Sequence, residues 1–440
     1  MLLGASRLKK RILALTVGVW IGLGFTACGY NYDAVRGRTE RMLASQGVTT
    51  TSSFGGLIIL NGYNDTLPGL APLSGGNSPG LMASSPTRNI IGAFDSGTNS
   101  IFAVNTATEK NIGSGVRILG PTTSFVIPTA QPIAYAAVPS AVVAGFAIHG
   151  AINVANFSTG GATTIAAPNA QTVVSNANAT QLLVFSNDSD SMIVLSPGVA
   201  APPVDTSCYS SPPNAVCTFV PGFDRPVYAI VNGTTAYVLN CGPECGGTQA
   251  SVMTVDLTSL TITSTIPVDA ATWGLLNGSI LYVAGTSPSP TNNACTGQKT
   301  AAQTCGRLDV VDLGSGTVTA SAVITDGYHD RMDLTQNGQV FVGSYDCTDV
   351  GDVGNPGAGE VRGCLSIYHV DTGAVVIPPD NGRVDGLQGI VSRNAEYVAE
   401  GGYLRVYNTE TDTLLINMYL PEGTFGIPGY IGDIKAMDFF

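Results

Sequence analysis

Short apolar runs alternate along the chain with clusters of Gly, Asn, Asp, Ser and Thr, and this punctuation is densest over residues 224–268. Val227 to Ile230 runs into Asn232-Gly233, and Ala236 to Leu239 follows. Val252 to Val255 then stops at Asp256, and Thr261 to Ile266 closes the stretch. Asn-Gly is a turn signal, and the β-branched content suits a pleated, half-buried surface. Four strands in about 45 residues is the span of one propeller blade.

The same pattern recurs. An apolar run ending in Asn, Asp or Ser before a small polar turn marks the third strand of each repeat, with end points Asn105, Asn156, Ser196, Asp256, Asp312, Asp371 and Asn408. Second-strand runs precede them at Ile90–Phe94, Val142–Phe146, Leu182–Phe185, Ala236–Leu239, Ile280–Val283, Val340–Val342 and Tyr397–Ala399. Strand-only repeats of this period point to a propeller, because each small sheet buries its faces only against its neighbours. A β-sandwich lacks the period, and a parallel β-helix has shorter rungs. Seven occurrences predict an all-β, seven-bladed β-propeller over 79–440, with eight blades as the alternative. The final run, Asp433 to Phe440, reads as a strand that returns beside the first blade to close the ring, since an open ring leaves exposed edges. Leu57–Leu60 is a lone strand or part of an incomplete eighth blade.

The central stretch also resembles the YVTN family of β-propeller repeats. The resemblance lies in Tyr237-Val238 with Asn240, in Thr254-Val255-Asp256 with Thr258, and in Thr265-Ile266-Pro267-Val268. Some propellers of similar kind are lactonases or large subunits of quinone-dependent amine dehydrogenases, but none of their functional residues carries over position by position.

Residues 1–28 read as a leader rather than fold. Arg7, Lys9, Lys10 and Arg11 form a basic region, and Ile12 to Phe25 an apolar region too short to span a bilayer. The segment ends in Phe25-Thr26-Ala27-Cys28, which resembles a bacterial lipobox with Phe25 in place of the usual aliphatic residue. That resemblance implies lipid on Cys28 and, with Gly29 rather than Asp next, a destination at the outer membrane. Ordinary secretion is the competing reading. Residues 29–78 read as a polar tether and pre-propeller segment, with a short helix expected from Asp33 to Ala44 and a Thr/Ser-rich linker from Gly47 to Ser53.

Cysteine usage agrees with export. Besides Cys28, eight cysteines fall in four close pairs: Cys208/Cys217, Cys241/Cys245, Cys295/Cys305 and Cys347/Cys364. Each pair sits in one expected loop, so local disulfides are favoured over zinc, for which no repeated CxxC and no suitably placed His exists. Each bridge adds about 2–3 kcal/mol on the loop-entropy account. Three pairs fall between second and third strands, on the face that carries the links between blades. Cys208/Cys217 falls on the opposite face.

A net charge of −12, with 11% charged residues and no basic stripe, argues against nucleic acid as partner. Asp224, Asp269, Asp330, Asp385 and Asp433 recur where blades begin, near the expected channel mouth. They form either an acidic attraction for a cation or basic group, or a set of turn caps, and the turn reading is favoured. His329 lies in the most polar link, with Tyr328, Asp330 and Arg331, and is the histidine expected to touch a ligand. His369 is expected to pack, and Trp273 begins an innermost strand. The loop 346–364 carries Asp346, Asp349, Asp352, Asn355 and Glu360, and calcium is the one candidate ion, against a solvated acidic loop. HExxH, P-loop and CxxCH motifs are absent from the sequence. The expectation is a lipid-anchored envelope module that binds a protein or glycan without catalysis. The alternative is a metal-dependent hydrolase resembling the lactonase propellers.

Overall fold

The computed structural model describes residues 40–48, 55–67, 71–129, 131–145, 149–186, 188–195, 205–208, 216–287, 305–347, 350–351, 361–378, 382–417 and 430–439. Among the described residues, eight mainly antiparallel sheets make the blades, and a two-stranded ribbon, Val350–Gly351 with Val361–Arg362, stands beside them. Seven of them match the seven repeats in order. The first is built on Pro79–Ser84, Ile90–Asp95 and Ser100–Asn105, and the second on Ser124–Val126, Ile133–Val142, His149–Asn156 and Gly161–Ala166. The third begins at Thr172–Ser175, the fourth at Pro226–Asn232, the fifth at Trp273–Asn277, the sixth at Tyr328–Leu334 and the seventh at Val384–Ile390.

The eighth blade is made from both ends of the described chain. Tyr430–Ala436 is its innermost strand, and Arg41–Gly47 and Gly56–Asn61 lie outside it. Ala44 pairs with Ile434 and Leu43 with Lys435, so the ring is sewn shut between the two ends. The propeller therefore has eight blades, not seven. Leu57–Leu60 belongs, as the alternative expectation had it, to an eighth blade of three strands among the described residues, and the closing strand is that blade's own innermost strand rather than an addition to the first. The propeller begins before residue 79, and Arg41–Ala44, expected to end a helix, is strand. Those residues favour a helix in isolation, but their hydrogen bonds go to Ile434 and its neighbours instead. In the second blade the second strand is Ile133–Val142, ahead of the expected Val142–Phe146.

Why the third-strand signature repeats is visible in its hydrogen bonds. Asn105, Asn156, Asp256, Asp312 and Asn408 each accept, on the side chain, the backbone N–H two or three residues on. The polar end of each run folds the turn into the fourth strand by this Asx bond. Middle strands are buried on both faces, as in Ile90–Asp95 and Ala395–Glu400, while the outer strand Thr317–Ile324 is largely exposed. The core lies between blades: Ile90, Phe94 and Ile101 of the first pack with Ala134, Ala155 and Phe157 of the second.

Three disulfides join Cys208 to Cys217, Cys241 to Cys245 and Cys347 to Cys364. Cys305 is also disulfide-bonded, and Cys295 lies outside the described residues. So do Cys28, Ser196, Asp349, Asp352, Asn355 and Glu360.

Candidate binding site at the channel mouth

Every innermost strand starts on the face that carries the links and the loops stapled by Cys241–Cys245 and Cys347–Cys364. Here the strands enclose a cavity of about 430 Å³ along the propeller axis. Its wall takes Phe125 from the second blade, Tyr228 from the fourth, Trp273 from the fifth and Tyr328 and Arg331 from the sixth. Asp433 and Lys435 come from the closing strand.

Aromatic rings form one side. Tyr228 stacks on Trp273 with centroids 3.9 Å apart and planes 21° from parallel, and Tyr328 leans on Tyr345 at 5.2 Å. Gly327 delivers the chain into Tyr328 at φ +102°, and a Cβ there would lie 2.5 Å from the Tyr345 carbonyl oxygen. Only glycine fits that entry. Burial pushes Tyr228 and Tyr345 up to about 12, so both phenols stay protonated.

Charge is concentrated around Arg331. Its Nη1 donates to the Asp330 carbonyl and to Asp330 Oδ2 at 3.0 Å, and its Nε to the Asp385 carbonyl at 2.8 Å. Burial opposes the charge on Arg331, but Asp330, Asp433 and Asp385 outweigh it and hold its pKa above the ordinary value. Asp330 is pushed up to about 6 by burial, against the pull of Arg331 and Arg383. Asp385 is raised by burial too, although it accepts the Tyr430 hydroxyl at 2.5 Å and pairs with Arg383 at 2.6 Å. Asp433 is fully buried and accepts from Met82 N, Ile434 N and Lys435 Nζ at 2.6–2.8 Å.

The sequence-predicted residues thus divide. Asp330, Asp385 and Asp433 gather round Arg331. Asp224 stands apart, taking four bonds from the Thr248 hydroxyl and the backbone N–H groups of Thr248 and Gln249 at 2.5–3.0 Å, as a loop cap does. Burial works against its charge, and those bonds hold its pKa below the usual value. Asp269 accepts the Ser321 hydroxyl, and its backbone N–H donates to Asp309. His329 does not reach the channel. It is fully buried, donates from Nε2 to the Thr325 carbonyl at 2.9 Å, and burial lowers its pKa to about 4. A neutral imidazole inside the wall is packing, not a ligand contact. His369 is only partly buried, and its Nε2 lies 2.7 Å from Asp412.

Tyr228, Tyr345, Arg383, Tyr430 and Lys435 went unmarked in the sequence. A signal existed for the first: Tyr228 and Trp273 each fall four residues after a recurring Asp. Among the described residues, no group of three or more His, Cys, Asp and Glu could hold a metal ion.

No protein-family model matches the chain, and no curated protein matches it. Solved structures do. The dihydro-heme d1 dehydrogenase NirN in complex with DHE aligns at TM-score 0.55 and 10% identity, over 90% of this chain and 75% of that one. A computationally designed protein, Ika8, aligns at TM-score 0.50 and 11% identity, over 85% of this chain and 98% of that one. Kuenenia stuttgartiensis hydrazine synthase aligns at TM-score 0.43 and 12% identity, over 78% of this chain and 80% of that one. At such identity the likeness to NirN is one of fold, and the fold it supports is an eight-bladed β-propeller.

Proposed function

We propose that the chain is a non-enzymatic binding module of the cell envelope, anchored by lipid on Cys28 at the outer membrane, which takes its ligand at the channel mouth. The observation that carries this reading is the cavity of about 430 Å³, walled by aromatic rings and centred on Arg331. A concave site with apolar and aromatic walls and a few convergent polar groups is how a rigid scaffold holds a small ligand. The basic and apolar regions before Thr26-Ala27-Cys28 support the anchor, and the YVTN-like repeats support an extracytoplasmic propeller. The acidic loop 346–364 remains a candidate calcium site of structural kind.

A metal-dependent hydrolase is the second reading, and it has one observation behind it. Asp330, Asp385 and Asp433 do cluster. Yet each already faces a cation, Arg331, Arg383 or Lys435. A divalent ion there has to displace those partners and then lie beside a buried guanidinium, a costly arrangement.

The test immobilises the detergent-solubilised full chain and passes a solubilised envelope extract over it. Retention of a component by the natural chain, lost with Tyr228→Ala plus Trp273→Ala, supports the reading. Equal retention by both moves the site away from the channel. Calcium-dependent lactone hydrolysis, abolished by Asp433→Asn, favours the second reading instead.

A further inference from the structure

We infer that the channel mouth seats a neutral sugar ring at the end of an oligosaccharide. This inference rests on the binding reading above and names the class of ligand. Its first support is the polar groups that the fold leaves unspent. Among the described residues, the hydroxyls of Tyr228, Tyr328 and Tyr345, Nε1 of Trp273 and Nη2 of Arg331 make no hydrogen bond, and all five belong to side chains that line the cavity. An acyl chain in this place strips water from five polar groups and returns nothing. A ligand dense in oxygen atoms accepts from all of them.

Charge narrows the class further. Within the wall Asp330 is matched by Arg331 and Asp433 by Lys435, and beside it Asp385 is matched by Arg383. A free anion meets the carboxylates, and a free cation meets the bases. Neither sign is drawn in strongly, whereas hydroxyl groups, which donate and accept, suit a compensated wall.

Shape supplies the third argument. The Tyr228–Trp273 stack and the Tyr328–Tyr345 pair give flat apolar surfaces whose edges carry hydrogen-bonding atoms. A pyranose has the matching form, with C–H faces above and below and hydroxyls around the rim. The cavity also shares Gln171 with a neighbouring pocket of about 300 Å³ lined by Asn169, Asp188 and Arg225. A ligand longer than one ring therefore has a second pocket beside the first.

Trp273 makes the test direct, because the only other tryptophan is Trp20 in the leader. In the full chain carrying Trp20→Phe, emission is followed while maltotetraose, cellotetraose, tetra-N-acetylchitotetraose and their monosaccharides are added. A tryptic digest of casein serves as the peptide probe. The expected result is a saturable change with at least one tetrasaccharide, tighter than with its monosaccharide. It weakens about tenfold in Tyr228→Phe plus Tyr328→Phe, which removes two unspent hydroxyls and no internal bond. Saturation by sugar that the two substitutions leave unchanged overturns the placement. Saturation by peptide alone overturns the sugar class and leaves the binding reading standing. Silence from every probe overturns both.

Discussion

Arg41 and Asp438, 397 residues apart, form a two-pronged pair in which Nε lies 3.0 Å from Oδ2 and Nη2 lies 2.6 Å from Oδ1. The backbone N–H of Arg41 donates to the same carboxylate at 2.9 Å, and Nη1 reaches Glu109 of the first blade at 2.7 Å. One guanidinium thus joins the N-terminal strand, the residues after the C-terminal strand and the neighbouring blade. Its side chain and those of both acids are largely buried. The channel mouth depends on this closure, since Asp433 and Lys435 stand on the strand that it holds.

Removing the guanidinium leaves Glu109 buried and unmatched. Arg41→Met is expected to cost about 3 kcal/mol, with Asp438→Asn costing less because Arg41 keeps Glu109. Urea unfolding measures both. A loss under about 0.5 kcal/mol for Arg41→Met means that the ring is held elsewhere.

Ala44 and Ile434 are register partners in the eighth blade, and both belong to the core between the seventh and eighth blades. Ala44→Cys with Ile434→Cys is expected to give a 44–434 linked peptide on mild oxidation, seen by mass spectrometry of the monomer. Links between chains, or none, contradict closure by the two ends.

Glu244 sits on the short turn stapled by Cys241–Cys245 and accepts the Thr286 N–H at 2.8 Å, and burial pushes its pKa up to about 7. The folded chain therefore binds this proton more tightly than the unfolded one. Its contribution is full below the unfolded value, about 4.5, and is lost as pH rises through about 7. Asp330, raised to about 6, acts in the same direction. His329, lowered to about 4, acts oppositely, its contribution falling away as pH drops from its unfolded value of about 6.5. Glu244→Gln is expected to flatten the decline of melting temperature between pH 5 and 7.5 without changing the acid side. An unaltered slope refutes the assignment.

The seven sheets were legible because each carries its instructions locally: an apolar run rich in β-branched residues and, in five of them, an Asn or Asp whose side chain folds the next turn. Asn105, Asp256 and Asn408 show the rule directly. The eighth was not, because its parts lie at opposite ends and Arg41–Gly47 has helix-forming residues held extended between Gly56–Asn61 and the distant Tyr430–Ala436. The candidate site was legible in part. Recurring acids located the mouth, but whether a carboxylate there serves a loop, as Asp224 does, or surrounds Arg331, as Asp385 does, depends on burial that spacing does not encode. His329 failed as a contact for the same reason, since alternation along an innermost strand does not say which face meets the neighbouring blade.

Where the ligand lands is the claim on which the rest depends, and hydrogen exchange with mass spectrometry measures it most directly. The full chain is compared with and without a saturating envelope fraction. Slowed exchange concentrated in Trp273–Asn277, Tyr328–Leu334 and Tyr430–Ala436 is the predicted result. Slowing confined to outer strands such as Thr261–Pro267 and Thr317–Ile324, with the innermost strands unchanged, contradicts it.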